Sequence, residues 1–220
     1  MNNMKAFACE FIGTFTLIFV GVSAIASNHL SNGGLGLTGI ALAHGLAIAV
    51  MVTATGGVSG GHLNPAVSFG AFLAKKLDSA KFVGYVISQC LGALFAAFLV
   101  KQVFAPEVLT FVGMGTPSFG AGVTLSQALI MEIILTFFLV FVVFGSAIDA
   151  KAPKVGGLFI GLTVALDIMA GGPISGGAMN PARHFGPALM GGGLTNMWVY
   201  WVGPLVGGAL ASLAYQKFVK

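Results

Sequence analysis

The sequence predicts an all-α membrane protein, with six transmembrane helices and two shorter helices that dip halfway into the bilayer, arranged as an inverted repeat. Three observations carry this. The 220-residue chain is 57% hydrophobic and 7% charged. Soluble domains carry about 25% charged residues, so a water-exposed surface cannot be covered here. Six long apolar runs lie at roughly 6–27, 35–55, 81–104, 123–148, 155–171 and 197–216, each at or near the ~20 residues that a helix needs to cross a hydrocarbon core. Finally, one short motif recurs in both halves of the chain.

The first run follows a short polar start. It is too long for a signal-peptide core and has no small-residue cleavage pattern, so it is expected to remain as a helix. The fifth run is the shortest and still qualifies as a span. Between the second and third runs lies the segment 64–74, and between the fifth and sixth the segment 180–190. As helices each reaches only about 16 Å, half of a hydrocarbon core of roughly 30 Å. They are too apolar for ordinary loops and too short for spans, so re-entrant half-helices are expected. The 33 glycines suit membrane helices that pack backbone to backbone. Cys9 and Cys90 sit inside apolar runs without metal-ligand spacing and are expected to be packing residues.

The repeat is explicit. Gly60-Gly61-His62-Leu63-Asn64-Pro65-Ala66 matches Gly176-Gly177-Ala178-Met179-Asn180-Pro181-Ala182 at an offset of 116, and Phe69-Gly70 matches Phe185-Gly186 at the same offset. Glu10 with Thr14-Phe15 matches Glu132 with Thr136-Phe137 at an offset of 122. Each repeat holds three spans, so the second starts on the opposite side of the membrane and the halves are inverted. One transmembrane domain over 1–220 is expected, with half-repeats at about 1–108 and 120–220. The half-helices then enter from opposite faces, and their starting ends meet near the midplane.

Charge sets the orientation. With a cytoplasmic N-terminus, Lys5, Lys75, Lys76, Lys81, Lys151, Lys154, Lys217 and Lys220 all fall inside, leaving only Lys101 and Arg183 for the outer half. This positive-inside bias accounts for the net charge of +4 without a nucleic-acid partner. Both termini are expected to be cytoplasmic, and the expected location is the cell (inner) membrane.

Asn is a favoured helix N-cap and Pro suits the first helical position, so Asn64-Pro65-Ala66 and Asn180-Pro181-Ala182 read as helix starts. Each start presents roughly half a positive charge, and two of them facing at mid-membrane repel cations. Each Asn amide can also offer N–H donors to a passing oxygen. One such triplet is a weak signal. Two in register within an inverted repeat, each after a Gly-Gly pair and before a half-length helix, are specific.

With Ser59-Gly60-Gly61-His62-Leu63-Asn64-Pro65-Ala66-Val67 and Met179-Asn180-Pro181-Ala182-Arg183, the chain resembles the aquaporin, or major intrinsic protein, family from Glu10 to Trp201. The second half, with Gly186-Pro187-Ala188 and Trp198-Val199-Tyr200-Trp201-Val202-Gly203-Pro204, is most similar to the plant tonoplast intrinsic proteins. The resemblance implies a homotetramer with one pore per subunit and a passive, single-file water channel that excludes protons and ions. Selectivity in such pores comes from diameter, lining donors and an excluding positive charge.

The resemblance also carries a narrow filter onto His44, Ile168, Gly177 and Arg183. An Arg at membrane depth normally faces a water-filled cavity; a pairing with a carboxylate or with backbone carbonyls is the bland reading. This set resembles the filter of tonoplast channels that pass ammonia as well as water, with Ile168 apolar, Gly177 exposing carbonyls and His44 a polar edge opposite Arg183. The alternative for His44 is a buried ring bonded to a backbone carbonyl. Ammonia channels of that type also carry a His in the loop before the fourth span, where this chain has Pro117. Glycerol facilitators carry Asp after the filter Arg and a basic residue four further on, where this chain has His184 and Ala188. His184 replaces the usual Ser, and either packs behind the half-helix or tunes Arg183.

Glu10 and Glu132 are buried carboxylates that need partners, and the resemblance assigns them to the re-entrant loop backbones. His62 is expected to shape the first loop, with a pH-sensing role as the alternative. Asp167 points either into a hydrogen-bonded pocket or toward the outer vestibule. No paired carboxylate site, metal spacing or phosphate loop is present, so neither an enzyme nor a cofactor is expected. The rival functions are a channel mainly for ammonia or another small neutral solute, glycerol included, and, further off, a secondary transporter, which would need a charged coupling site at the midplane.

Overall fold

The computed structural model describes residues 3–149, 151–152 and 155–219; Lys154 and Lys220 of the positive-inside set lie outside them. Nine α-helices follow in chain order among the described residues: α1 Asn3–Leu30, α2 Gly36–Ser59, α3 Pro65–Leu73, α4 Ser79–Val103, α5 Pro106–Phe111, α6 Leu125–Val143, α7 Gly156–Ser175, α8 Pro181–Pro187 and α9 Val199–Phe218. No strand occurs among those residues. α6 runs on into a π-helical turn, Phe144–Ile148, and α8 into another, Ala188–Gly192.

Five of the helices are long and apolar enough to cross a membrane: α1, α2, α4, α6 with its π-turn, and α7. α9 has 20 residues, the length of a span, but Tyr200, Pro204, Tyr215 and Gln216 dilute its apolar character. α7 extends past the apolar run that announced it, through Pro173 to Ser175. Pro173 stands two residues before the end of α7, so the backbone bond it lacks and the clash it brings fall where the helix is about to end. The short α5, with Pro106 at its first position, gave no periodic signal in the sequence.

Helix starts follow local chemistry. Asp78 caps α4 by accepting from the Lys81 N–H at 2.9 Å. Thr124 and Gln127 form a capping box at the start of α6, satisfying two of the N–H groups a helix end leaves open. Lys76 and Lys151 line one cavity together with Gln216 near the end of α9, so these parts of the positive-inside set share one end of the bundle.

The most extensive contacts are α2 with α7, α6 with α9 and α1 with α4. The pairs α1–α4 and α6–α9 are equivalent in the two half-repeats, and α2–α7 joins the halves. Each half-helix packs on a span of the other half, α3 on α9 and α8 on α4. Glycines make the closest crossings possible. A Cβ on Gly45 would lie 2.8 Å from the Ala165 Cβ, and one on Gly161 2.6 Å from the Ala49 Cβ, with each glycine also facing the other's carbonyl. Without water to drive helices together in lipid, such close approach supplies the packing.

Gly161→Val should therefore part α2 from α7. Overpacking of this kind destabilises by about 1–3 kcal/mol, and thermal unfolding of the purified protein in detergent should show a lowered midpoint. An unchanged midpoint would mean that the crossing has slack the contacts do not show.

Candidate conduction pore

Each re-entrant loop begins where a long helix is stopped by a left-handed glycine. Gly60 ends α2 with φ 91° and Gly176 ends α7 with φ 84°. The same run of positive φ follows in both loops: Gly61 at 61° and Leu63 at 53°, Gly177 at 55° and Met179 at 51°. Leu63 and Met179 are non-glycine residues in a region that disfavours side chains, so something must hold them there.

That hold is a buried carboxylate beneath each loop. Glu10 Oε1 accepts from the Ser59 hydroxyl at 2.6 Å and the His62 N–H at 3.0 Å. Its Oε2 accepts from the Leu63 N–H at 2.6 Å and the Gln89 amide at 2.8 Å. Glu132 Oε1 accepts from the Ser175 hydroxyl at 2.7 Å and the Ala178 N–H at 2.9 Å, and Oε2 from the Met179 N–H at 2.7 Å. Tyr85 donates to the Ser59 carbonyl at 2.6 Å, and Tyr200 to the Ser175 carbonyl at 2.9 Å. Ser59, Ser175, Tyr85 and Gln89 were not singled out in the sequence, although Ser59 and Ser175 share the 116-residue offset that marks the boxes.

The loops deliver their asparagines as helix caps. Asn64 Oδ1 accepts from the Ala66 N–H at 2.8 Å; Asn180 Oδ1 accepts from Ala182 at 3.0 Å and Arg183 at 3.3 Å. Pro65 and Pro181 occupy the first helical positions. The amide nitrogens cross over: Asn64 Nδ2 donates to the Met179 carbonyl at 2.8 Å, and Asn180 Nδ2 to the Leu63 carbonyl at 3.0 Å. One hydrogen of each amide is thus used to tie the loops together, and one remains.

Asn64, Asn180, His44, His62, Ile168, Gly177 and Arg183 line one cavity of about 30 Å³, room for two or three water molecules at roughly 10–15 Å³ each. Its other walls are apolar: Leu17, Ile48, Val52, Val67, Leu139, Val143, Ile160 and Val164. The four residues of the expected filter are therefore brought together. His44 Nδ1 lies 2.8 Å from the Ile40 carbonyl. A carbonyl can only accept, so Nδ1 carries the proton and Nε2 presents a lone pair in the neutral ring. Arg183 donates from Nη1 to the Gly115 carbonyl at 3.0 Å, while its Nε has no protein partner. Gly115 is a residue the sequence reading missed; it follows Met114 at φ 55° in a short turn after α5, a conformation without a strong sequence signature. A Cβ on Gly177 would lie 3.3 Å from the Ile168 Cα, so glycine lets this loop lie against α7. Pro117 passes over Gly176 at close range.

His184 resolves into a packing residue. It is 1% exposed and stacks on Tyr200 with ring centroids 4.2 Å apart and planes 14° from parallel. The first half has the reverse arrangement. His62 meets Tyr85 edge-on at 5.2 Å and its Nδ1 lies 3.1 Å from the Ser68 hydroxyl. Residues 62 and 68 correspond to 178 and 184, so one half has His and Ser where the other has Ala and His. Each half sets one imidazole against its tyrosine, supplied from opposite ends of the loop. Asp167 is fully buried, absent from the cavity wall, and neither carboxylate oxygen has a protein hydrogen-bond partner. The hydrogen-bonded pocket expected for it is thus corrected to a pocket without protein donors, away from the lumen.

Comparison with known proteins fits this architecture. A family model described as major intrinsic protein matches residues 1–215. The probable aquaporin TIP2-1 of Oryza sativa is 45% identical, over 97% of this chain and 87% of its own length. Aquaporin TIP2-3 of Arabidopsis thaliana is 42% identical, over 98% and 87%. Among solved structures, the aquaglyceroporin of Plasmodium falciparum superposes with a TM-score of 0.88 at 27% identity, covering 99% of this chain and 97% of its own.

His184→Ser should leave a void against Tyr200 and lower the unfolding midpoint, with a cost of about 1–3 kcal/mol for a partly collapsing cavity. Adding Ala178→His should recover much of the loss by supplying the ring from the other end, as His62 does. If the double variant is less stable than both single variants, the equivalence of the two pockets is wrong.

Proposed function

The chain belongs to the major intrinsic protein family, and from that premise we propose that it is a passive channel through which water crosses the membrane in single file. It is an integral, multi-pass membrane protein and not an enzyme. The observation that carries the mechanism is the pair of crossed asparagine caps. The starts of α3 and α8 meet where Asn64 and Asn180 bond each other's loop, so two helix N-termini, each with about half a positive charge, face one point of the pore. A cation stripped of its hydration there meets only positive potential.

A water molecule finds suitable partners at the same point. The remaining N–H of each Asn amide donates to its oxygen. With both lone pairs taken, its hydrogens turn to its neighbours in the file, which interrupts a continuous proton wire. Elsewhere the walls are apolar and bind water weakly. At the filter, Arg183 donates to a small neutral molecule as it passes between the His44 ring and Ile168, while Arg183 repels cations a second time. Glu10, Glu132 and His62 hold the loops that present these groups.

Ammonia accepts from the same Arg183 donor, but relatives named aquaporins favour water as the main solute, and His184 and Ala188 stand where glycerol facilitators carry Asp and a basic residue. A secondary transporter would need a charged coupling group in the lumen, and Asp167 does not line it. The assembly we propose is a homotetramer in the lipid bilayer with both termini cytoplasmic. The cell (inner) membrane expected from the sequence is not supported by the TIP relatives.

Proteoliposomes under an osmotic gradient should shrink at least ~10-fold faster than empty ones by light scattering, the behaviour of a pore that lowers the barrier by about 1.4 kcal/mol or more. Glycerol gradients should give no comparable signal. An osmotic rate equal to that of empty liposomes overturns the proposal; ammonia uptake without water flow replaces it with the ammonia reading.

A further inference from the structure

His44 is held on one side only by its bond to Ile40. The far edge of its ring reaches across to α1 and meets a position with no side chain. A Cβ built on Gly21 would collide with Nε2, Cδ2 and Cε1 together, the farthest of the three at 2.9 Å. Three atoms of one rigid ring cannot be relieved by a small bond rotation, and Cβ contacts under about 3 Å are not tolerated by a packed interior.

The backbone does not ask for glycine here. Gly21 is buried inside the regular helix α1 and is not among the residues with positive φ. Alanine is the better helix former, so the missing side chain is explained by the neighbour. Gly21 lies one turn along from Leu17, which lines the cavity, and thus faces the same way. His44 is 1% exposed, and the open volume beside its ring is the lumen that it lines. A ring pushed off α1 has that lumen, which Ile168 and Arg183 also line, to move into.

We propose that Gly21 is a positioning residue for the filter: by leaving a notch in α1 it lets the His44 ring withdraw from the pore, and so sets the width of the constriction without touching the permeant. This rests on the reading of His44 as a filter residue in a water channel. It assigns a filter determinant to α1, a helix that adds no side chain to the polar set of the constriction.

The test is a double-mutant cycle in proteoliposomes matched for protein content, with size-exclusion profiles in detergent as the fold control. Gly21→Ala should lower the osmotic rate by about fivefold or more. The His44→Ala variant has its own rate, and Gly21→Ala on that background should change it by less than about twofold, because no ring remains to displace; strong non-additivity is the signature of residues in direct contact. A Gly21→Ala variant as fast as the unmodified chain overturns the inference. So does a double variant slowed as much as the single one, since the glycine would then serve helix packing alone. Should Gly21→Ala fail to fold, folded yield is read in place of rate: recovery with His44→Ala supports the inference, and continued loss overturns it. An unmodified chain no faster than empty liposomes would instead overturn the water reading, and the cycle is then scored by ammonia uptake.

Discussion

The structure depends on two carboxylates placed where a charge is hardest to keep. Glu10 and Glu132 are fully buried within helices that cross a membrane, where an unsatisfied polar group costs several kcal/mol. Among the described residues neither makes a salt bridge. Hydrogen bonds take that place, from loop N–H groups and a serine hydroxyl on each and from the Gln89 side-chain amide on Glu10, four on Glu10 and three on Glu132. The dependence runs both ways. Non-helical backbone at membrane depth survives only if its groups are satisfied within the protein, and the carboxylates satisfy the loops. The held loops set Leu63 and Met179 in left-handed conformations, and these turn the chain so that Asn64 and Asn180 can cap α3 and α8. The pore is the last consequence of that sequence of constraints.

Much of this was legible because it rests on short-range chemistry repeated twice. Asn-Pro is a helix start wherever it occurs, and the 116-residue offset showed that two starts belong together. The paired offset of 122 pointed to Glu10 and Glu132. What escaped was whatever depends on a contact between distant backbone groups. Gly115 anchors Arg183 through its carbonyl, and any residue has a carbonyl, so nothing in the sequence marks it. The crossed bonds of the asparagine amides were invisible for the same reason. α9 was announced by the apolar run 197–216, but its packing on α6 and α3 was not. Asp167 escaped too, because nothing in the sequence marks an acid buried without protein donors.

The two halves are similar enough to reveal where they differ. Tyr85 and Tyr200 bond equivalent carbonyls, yet the imidazole beside each comes from position 62 in one half and from position 184 in the other. Packing conserves the filled volume and leaves open which residue fills it, much as cores tolerate exchanges that keep total volume. His62 lines the lumen as well, whereas His184 does not, so the exchange also moves one titratable ring out of the conduction path on the Arg183 side.

The exchange of half-helices between the two repeats has a consequence for how the chain comes into being. α3 packs on α9, and Asn64 bonds a carbonyl 115 residues further along the chain. When the first half leaves the ribosome, its re-entrant segment has a cap, a supporting carboxylate and α4 to lie on, but no partner for that amide and no α9 to cover its other side. Local helices form quickly, while contacts of large sequence separation wait for the chain that makes them. The lumen therefore cannot mature in two independent halves; it closes only when the last helix arrives, and truncation anywhere before α9 removes the pore from both repeats at once.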